Sequence, residues 1–403
     1  MILEQIQKRF DRISGYFKSV DLFSVCMAIY IACYPFEYIK LPGGVPITRI
    51  MFLLVGFSGL LCLKRIKINR NAELALPLLL VVLLAWNVPH SQQSLSVAVD
   101  SFIKYVGNIA LVILSVMLVD NSRQIKLLAG SYVASSMVML VFYYFNSGSY
   151  ATQMESTRLV AAVGENTTDP NTFCLYFIPG LSYSFCKFLN ARGAQWCALS
   201  IAFLLVPLYS GSRGALIAYA ATIITIVLFA LIIDKNQVRT IFLALLVFII
   251  ILAVLGIALR LLPEKTAERF SLEYILAHGD SGRSFIRENL WENYQSFSLL
   301  DQLFGKGLRS TLLYSGVGLQ AHNFWLETLI DLGIAGLVIL LSLHWIALNA
   351  FVKSKSIWLI GCLAGIFVME LSLSLNTSKT FWILITLALL ISLTIKKRVE
   401  KNA

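Results

Sequence analysis

Charge is scarce in this chain. Only 14% of its 403 residues are Asp, Glu, Lys or Arg, while 58% are hydrophobic. A water-soluble domain is about a quarter charged. The composition therefore excludes an ordinary soluble protein and points to an integral membrane protein. Histidine is rarer still, with four copies: His90, His278, His322 and His344. No two of them stand at zinc-ligand spacing and no H-E-x-x-H occurs, so neither a metal nor another cofactor is expected. A P-loop and a G-x-S-x-G elbow are also absent, which excludes the common nucleotide-hydrolysing and serine-hydrolase arrangements. The seven cysteines (Cys26, Cys33, Cys62, Cys174, Cys186, Cys197, Cys362) lie in or at the ends of apolar runs. They show no secreted disulfide pattern and read as small core or lipid-facing residues. A cleavable leader is not expected, because residues 1–20 are charged and amphipathic. That segment reads equally as an interfacial helix or a solvated tail.

What the chain has in abundance is long apolar runs. A membrane-crossing helix takes about 20 mainly apolar residues. Runs near that length occur at 21–39, 47–63, 72–88, 101–119, 127–146, 170–189, 194–210, 213–233, 240–262, 323–351, 356–374 and 380–395. Two are short, so the expectation is about twelve spans, within a range of ten to twelve. Nothing alternates like a barrel strand, and the predicted fold is all-α. Basic residues orient the spans. With the N-terminus inside, the short inner segments carry twenty Lys and Arg and the short outer ones four: Lys40, Arg158, Arg213 and Lys379. That asymmetry predicts two cytoplasmic termini. It also accounts for the net charge of +11 without an acidic partner, so no nucleic acid is expected. The chain then divides into an N-terminal segment (1–20), nine spans (21–262), a large outer loop (263–321), three spans (322–395) and a tail (396–403).

The 59-residue outer loop is long enough to predict a function of its own. It mixes six basic residues with seven acids, so its arginines count individually. Arg283 and Arg287 are four apart in a helical pattern and share a face. The charges borne by spans (Glu37, Arg49, Lys104, Arg260, Glu327, Asp331 and Glu370) all fall toward the outer ends. Snorkelling explains some of them singly; together they predict a polar cavity opening outward beneath the loop. Arg213 stands in a tight turn, "SGSRG", at a helix start. It reads either as an interfacial anchor or as a guanidinium added to an anion-favouring helix terminus. In "TTDPNTF", Asp169 or Thr168 reads as a helix cap with Pro170 at the first helical position. His322 ends the arginine-bearing loop and begins "HNFWLETLIDLGIAG". A lone histidine there reads as a structural hydrogen bond or, near neutral pKa, as a base that takes a proton from a hydroxyl. Glu327 or Asp331 is the candidate to orient it.

These residues resemble the O-antigen ligase and surface-polysaccharide polymerase superfamily. The carriers are His322 and Asn323 followed after nine residues by Gly333-x-x-Gly336, the "SGSRG" turn with Arg213, "GDSGRSFIRENLW" with Arg283, and "DPNTF" (Asp169–Phe173). The resemblance implies a metal-independent, inverting membrane glycosyltransferase of the GT-C type in the bacterial inner membrane. Its donor would be a glycan on undecaprenyl pyrophosphate and its active site would lie on the outer, periplasmic face. Arg213 and Arg283 would hold the pyrophosphate and His322 would activate the acceptor hydroxyl. Arg287, Arg309 and Arg158 are further candidates for the phosphates, with Arg287 an alternative to Arg283. Asp169, Asn171, Asn323 and Glu327 are candidates for substrate contact. The acceptor is a second lipid-linked repeat unit in polymerases and lipid A–core in ligases. "DPNTF" favours polymerase and the His-Asn spacing favours ligase, with polymerase preferred. A chain-length regulator is a conceivable partner. The competing classes are a flippase for lipid-linked oligosaccharides and a structural assembly factor. The chain shows no internal repeat of the transporter kind.

Overall fold

The computed structural model describes residues 20–402 apart from 42, 67–70, 152–156, 162–167, 192, 234–236 and 279–282. The expected interfacial segment at 1–20 thus falls almost wholly outside the described residues. The chain is helical in every apolar run. The first five helices are α1 (Leu22–Cys33), α2 (Ile47–Leu61), α3 (Asn71–Asn87), α4 (Leu95–Leu118) and α5 (Ser122–Phe145). Short α6 (Pro170–Leu175) precedes α7 (Ile178–Ala191), α8 (Ala194–Tyr209), α9 (Arg213–Ile233) and α10 (Gln237–Leu261). The long loop folds into α11 (Glu264–Glu268), α12 (Leu272–His278), α13 (Arg283–Ser296), α14 (Leu299–Phe304) and α15 (Thr311–Tyr314). Then follow α16 (Phe324–Lys353), α17 (Ile357–Glu370) and α18 (Lys379–Asn402). Among the described residues, five helices are long and apolar enough to cross a membrane by themselves: α4, α5, α9, α16 and α18.

Exposed large apolar side chains line the outer faces of α2 (Leu53, Phe57), α9 (Ile217, Ile224, Leu228) and α10 (Phe242, Ile249). An apolar belt of that extent is unsuited to water and fits lipid. The protein is an all-helical integral membrane protein with one exception to the all-α expectation. Two short antiparallel strands, β1 (Ser147–Ala151) and β2 (Thr157–Ala161), pair with Ser147 opposite Ala161. Five residues are too few for alternation to show in the sequence.

Two packing features set the architecture around α17. The first is a pair of glycines four apart. A Cβ on Gly361 would come within 2.6 Å of Ile226 and Ser182, and one on Gly365 within 2.2 Å of Thr222. Small residues at this spacing let helix backbones approach closely, as in membrane helix pairs. Helices α9 and α17 therefore run tightly antiparallel, which brings the start of α9 beside the end of α17.

The second feature corrects the tenth span, expected as one helix over 323–351. Gly333 has φ 67° and ψ −168°, a conformation open essentially only to glycine. The chain reverses there. The ring of Phe324 lies 6.3 Å from that of His344, and Trp325 lies 5.0 Å from it. A continuous helix would place residues twenty apart about 30 Å from each other. α16 is thus a hairpin of two limbs, 324–332 and 334–353. A Cβ on Gly333 would overlap the Leu303 carbonyl at 2.5 Å, and one on Gly336 would meet Leu332 at 2.3 Å. The Gly-x-x-Gly spacing is what lets this reversal close.

Candidate functional site

The site is assembled from three chain breaks: the start of α6, the start of α9 and the end of α17. Asp169 caps α6, its Oδ1 accepting from the backbone of Asn171 at 2.9 Å and Thr172 at 3.0 Å. Pro170 occupies the first helical position, as expected of this cap. Asn171 then reaches across to the α9 turn, where its Oδ1 accepts from the Ser212 hydroxyl at 2.6 Å. Ser212 Oγ in turn accepts from Ala215 N at 3.3 Å and so caps α9. Gly211, at φ 61°, makes the turn possible. Two motifs more than forty residues apart are in this way one bonded unit.

Arg213, the first residue of α9, places its guanidinium 5.8 Å from the Tyr274 ring centre. A second guanidinium shares that ring. Arg269 lies 5.9 Å from it, and its Nε donates to the Gly211 carbonyl at 3.3 Å. Burial, and secondarily the positive charge of Arg213, hold Arg269 below the ordinary arginine pKa, against an opposing effect of Tyr274. Sequence reasoning had singled out neither Arg269 nor Tyr274. The bond from Arg269 to Gly211 runs across a 58-residue separation that no local pattern signals.

The end of α17 holds the remaining pieces. Arg283 Nη1 donates to the Ser372 carbonyl at 3.3 Å. Ser372 packs on the α9 start: its hydroxyl would lie 3.0 Å from a Cβ on Gly214, next to Arg213. Asn323 caps the first limb of α16, accepting from Leu326 N at 3.0 Å, and its amide reaches toward the Leu371 carbonyl at 3.5 Å. Between them His322 adopts φ 47°, a left-handed conformation costly for a residue with a Cβ. It is half-buried. Burial first, then the charge of Arg283, lower its pKa below the usual imidazole value, while Asp169 pulls it upward. The net result is an imidazole that is neutral at neutral pH and able to accept a proton.

Residues 198–341 match the family model described as O-antigen ligase. Over that segment, roughly a third of the chain, the protein is similar to the O-antigen ligase family. No curated protein matches it closely. The matched segment contains Arg213, Arg269, Arg283, His322 and both glycines of the reversal. Asp169 and Asn171 lie before it.

The other expected residues fall elsewhere. Arg287 lies one turn further along α13, its Nε donating to the Arg283 carbonyl at 3.3 Å; the charges acting on His322 are those of Arg283 and Asp169. Arg158 belongs to β2, and its side chain is outside the described residues. Glu327 and Asp331 do not orient His322 as expected. Asp331, buried, accepts from the backbone of Arg309 at 2.8 Å and Thr311 at 2.9 Å, and from the Thr311 hydroxyl at 2.7 Å. Glu327, also buried, faces the Arg309 guanidinium at 3.7 Å. With its amide oxygen turned inward, Gln320 accepts from both Arg309 terminal nitrogens at 3.0 Å. The physical reason is the direction of the first limb. It carries Glu327 and Asp331 about 7 and 13 Å along the axis from His322, toward Gly333 and the 303–311 loop.

Two other span-borne charges, Glu37 and Lys104, are answered by nearby groups. Glu37 pairs with Lys379 and accepts from the Tyr176 hydroxyl at 2.7 Å. Lys104 pairs with Asp100 one turn away at 2.5 Å. His90 stacks on Trp86 with its Nδ1 2.7 Å from the Trp86 carbonyl, a structural role.

Proposed function

We propose that this protein transfers a glycan from undecaprenyl pyrophosphate to a sugar hydroxyl at the outer face of the bacterial inner membrane, acting as a surface-polysaccharide polymerase. In this reading the chain crosses the membrane about twelve times in a GT-C-type arrangement. Both termini are cytoplasmic and the 263–321 loop covers the site from outside. The observation that carries the reading is the convergence of a neutral, strained imidazole with guanidinium groups on one small patch of backbone. Arg283 acts on His322 and is anchored at Ser372, which packs against the Arg213 turn.

The chemistry follows from charge flow. His322 takes the proton from the acceptor hydroxyl as its oxygen attacks the anomeric carbon of the donor glycan. The bond from that carbon to the pyrophosphate oxygen breaks on the opposite face, which inverts the configuration. Negative charge collects on the departing lipid diphosphate, where Arg213, Arg283 and Arg269 stabilise it. Arginine suits this task because its planar fork stays charged and meets phosphate oxygens in pairs. The donor is already activated, so no nucleotide enters. Asp169 and Asn171 fix the geometry of the two turns, and Asn323 sets the start of the limb behind His322.

The ligase reading has one observation in its favour, the His322-Asn323 spacing to Gly333 and Gly336. The polymerase reading is favoured because the "DPN" residues are bonded into the arginine turn. Reconstitution of the purified protein with undecaprenyl-pyrophosphate repeat units alone separates the two. Lengthened lipid-linked glycan is the expected product. Product formed only after addition of lipid A–core would make the protein a ligase. Replacing His322 with Ala should abolish either product while donor binding remains, and transfer retained by that variant would end the base assignment.

A further inference from the structure

Beneath the site lies a buried carboxyl–imidazole pair that the chemistry above does not use. Glu370, the last residue of α17, is fully buried, and His344, on the second limb of α16, is 8% exposed. His344 Nε2 lies 3.0 and 3.1 Å from the two Glu370 oxygens. Its Nδ1 is 2.8 Å from the Leu340 carbonyl, which can only accept, so Nδ1 carries a proton and the ring orientation is fixed. One further proton is shared between Nε2 and the carboxyl group. Whichever atom holds it, the pair has no net charge, which is how such groups tolerate apolar surroundings.

Those surroundings come from the first limb of α16, from α17 and from α18. Trp325 and Phe324 of the first limb lie 5.0 and 6.3 Å from the His344 ring. Phe367 of α17 lies 6.0 Å away, and Phe381 of α18 stacks on it at 5.1 Å. The next residues along the chain are the functional ones. Leu371, which follows Glu370, offers its carbonyl to Asn323, and Ser372 offers its carbonyl to Arg283. Phe324, on the same ring box, adjoins Asn323 and is two residues from His322.

We propose that His344 and Glu370 are positioning residues for glycan transfer, locking the hairpin of α16 to the end of α17 so that the Leu371 and Ser372 carbonyls hold Asn323 and Arg283 in register with His322. The inference rests on the reading of His322 as the general base. Small glycines already bring α17 against α9, so close packing alone does not require an ionisable pair here. A directional bond at the end of α17 does what close packing cannot: it fixes the rotation of the two carbonyls. The Asn323 contact is long, at 3.5 Å, and cannot set that rotation by itself.

The test is steady-state transfer by the full-length protein in lipid vesicles, with undecaprenyl-pyrophosphate repeat units as substrate. Glu370→Ala should lower kcat about 10- to 100-fold, as a small misplacement of a reacting group does, with the donor KM changed by less than about threefold. Glu370→Gln should recover most of the rate, since its amide can donate to a neutral Nε2. Combining Glu370→Ala with Asn323→Ala should cost no more than the worse single change, because both act through the same carbonyl shelf. Unchanged kcat in Glu370→Ala would overturn the proposal, as would losses that multiply in the double variant. If Glu370→Ala does not fold, the cycle is run with Glu370→Met, which keeps the volume and removes the bond to His344, together with Asn323→Ala, and the same criterion decides. His322→Ala serves as the separate arm. Transfer surviving there defeats the base reading itself, whereas a dead His322→Ala beside an unaffected Glu370→Ala defeats only the positioning role.

Discussion

Two polar clusters draw on arginines of the same loop, and they tie it to different parts of the molecule. Around Arg309 the contacts run to one helix limb: Glu327 faces the guanidinium, and Asp331 is bonded to the neighbouring backbone and the Thr311 hydroxyl. Around Arg213 the contacts join separate chain breaks: Arg283 donates to the Ser372 carbonyl, and Arg269 donates to the Gly211 carbonyl beside Tyr274. The first cluster holds the loop onto the helix hairpin. The second gathers guanidinium groups at the α9 turn, where the charge of Arg283 reaches His322.

The sharpest way to break this contrast is to remove one arginine from each cluster. Arg213→Ala or Arg283→Ala should lower kcat/KM about 100- to 1,000-fold, the scale of losing a donor aimed at developing charge. Lysine at either position should restore only part of that, because it lacks the bidentate fork. Arg309→Ala should leave kcat/KM within about threefold and be felt mainly in stability, because its partner Glu327 lies on the hairpin limb. Comparable losses in both clusters, read by initial rates in vesicles, would show that the distinction is false.

Asp331 tests the scaffold side directly. Asp331→Ala strips acceptors from the Arg309 and Thr311 backbone N–H groups, each worth about 1–3 kcal/mol when left buried and unpaired. The melting temperature in detergent should fall by several degrees while the surviving folded fraction keeps its turnover number. A variant that melts normally yet fails to turn over would move Asp331 into the site.

Arg269 sharpens the other side. Arg269 is a second cation on the Tyr274 ring beside Arg213, and Arg269→Leu should lower kcat/KM about tenfold, the worth of one charge-assisted contact. Donor binding measured over a range of salt should show a shallower dependence in this variant than in the wild type.

How much of this could be read from the chain depends on the range of the interaction. The apolar runs are local and all of them are helical. Asp169 with Pro170, Arg213 and His322 sit at helix starts whose capping chemistry is written in neighbouring residues. The reversal at Gly333 escaped because the apolar pattern continues unbroken on both sides of it. A glycine inside such a run reads as a tolerated small residue, and its positive φ is visible only once Leu303 is packed against it. The same blindness hid the partnership of Arg269 with the Gly211 turn, and it assigned Glu327 and Asp331 to a histidine from which the first limb carries them away. Sequence proximity suggested the wrong partner, and tertiary contact supplied Arg309 and Thr311 instead.

The finest distinction concerns the two opposing charges on His322. As a base it must be neutral, so kcat/KM falls as pH drops through the pKa of the free enzyme. Burial and Arg283 lower that pKa, which puts the acid limb below the ordinary value of about 6.5. Taking away a neighbouring cation makes protonation easier, so Arg283→Gln should shift the limb to higher pH. Taking away a carboxylate makes it harder, so Asp169→Asn should shift the limb to lower pH. Each displacement should be readable on residual transfer or by NMR titration of the His322 imidazole. Movements of opposite sign are the signature of an imidazole seated between these two charges. Shifts in the same direction, or none, would mean that His322 titrates outside their field and that the arginine cluster and the histidine do not form one site.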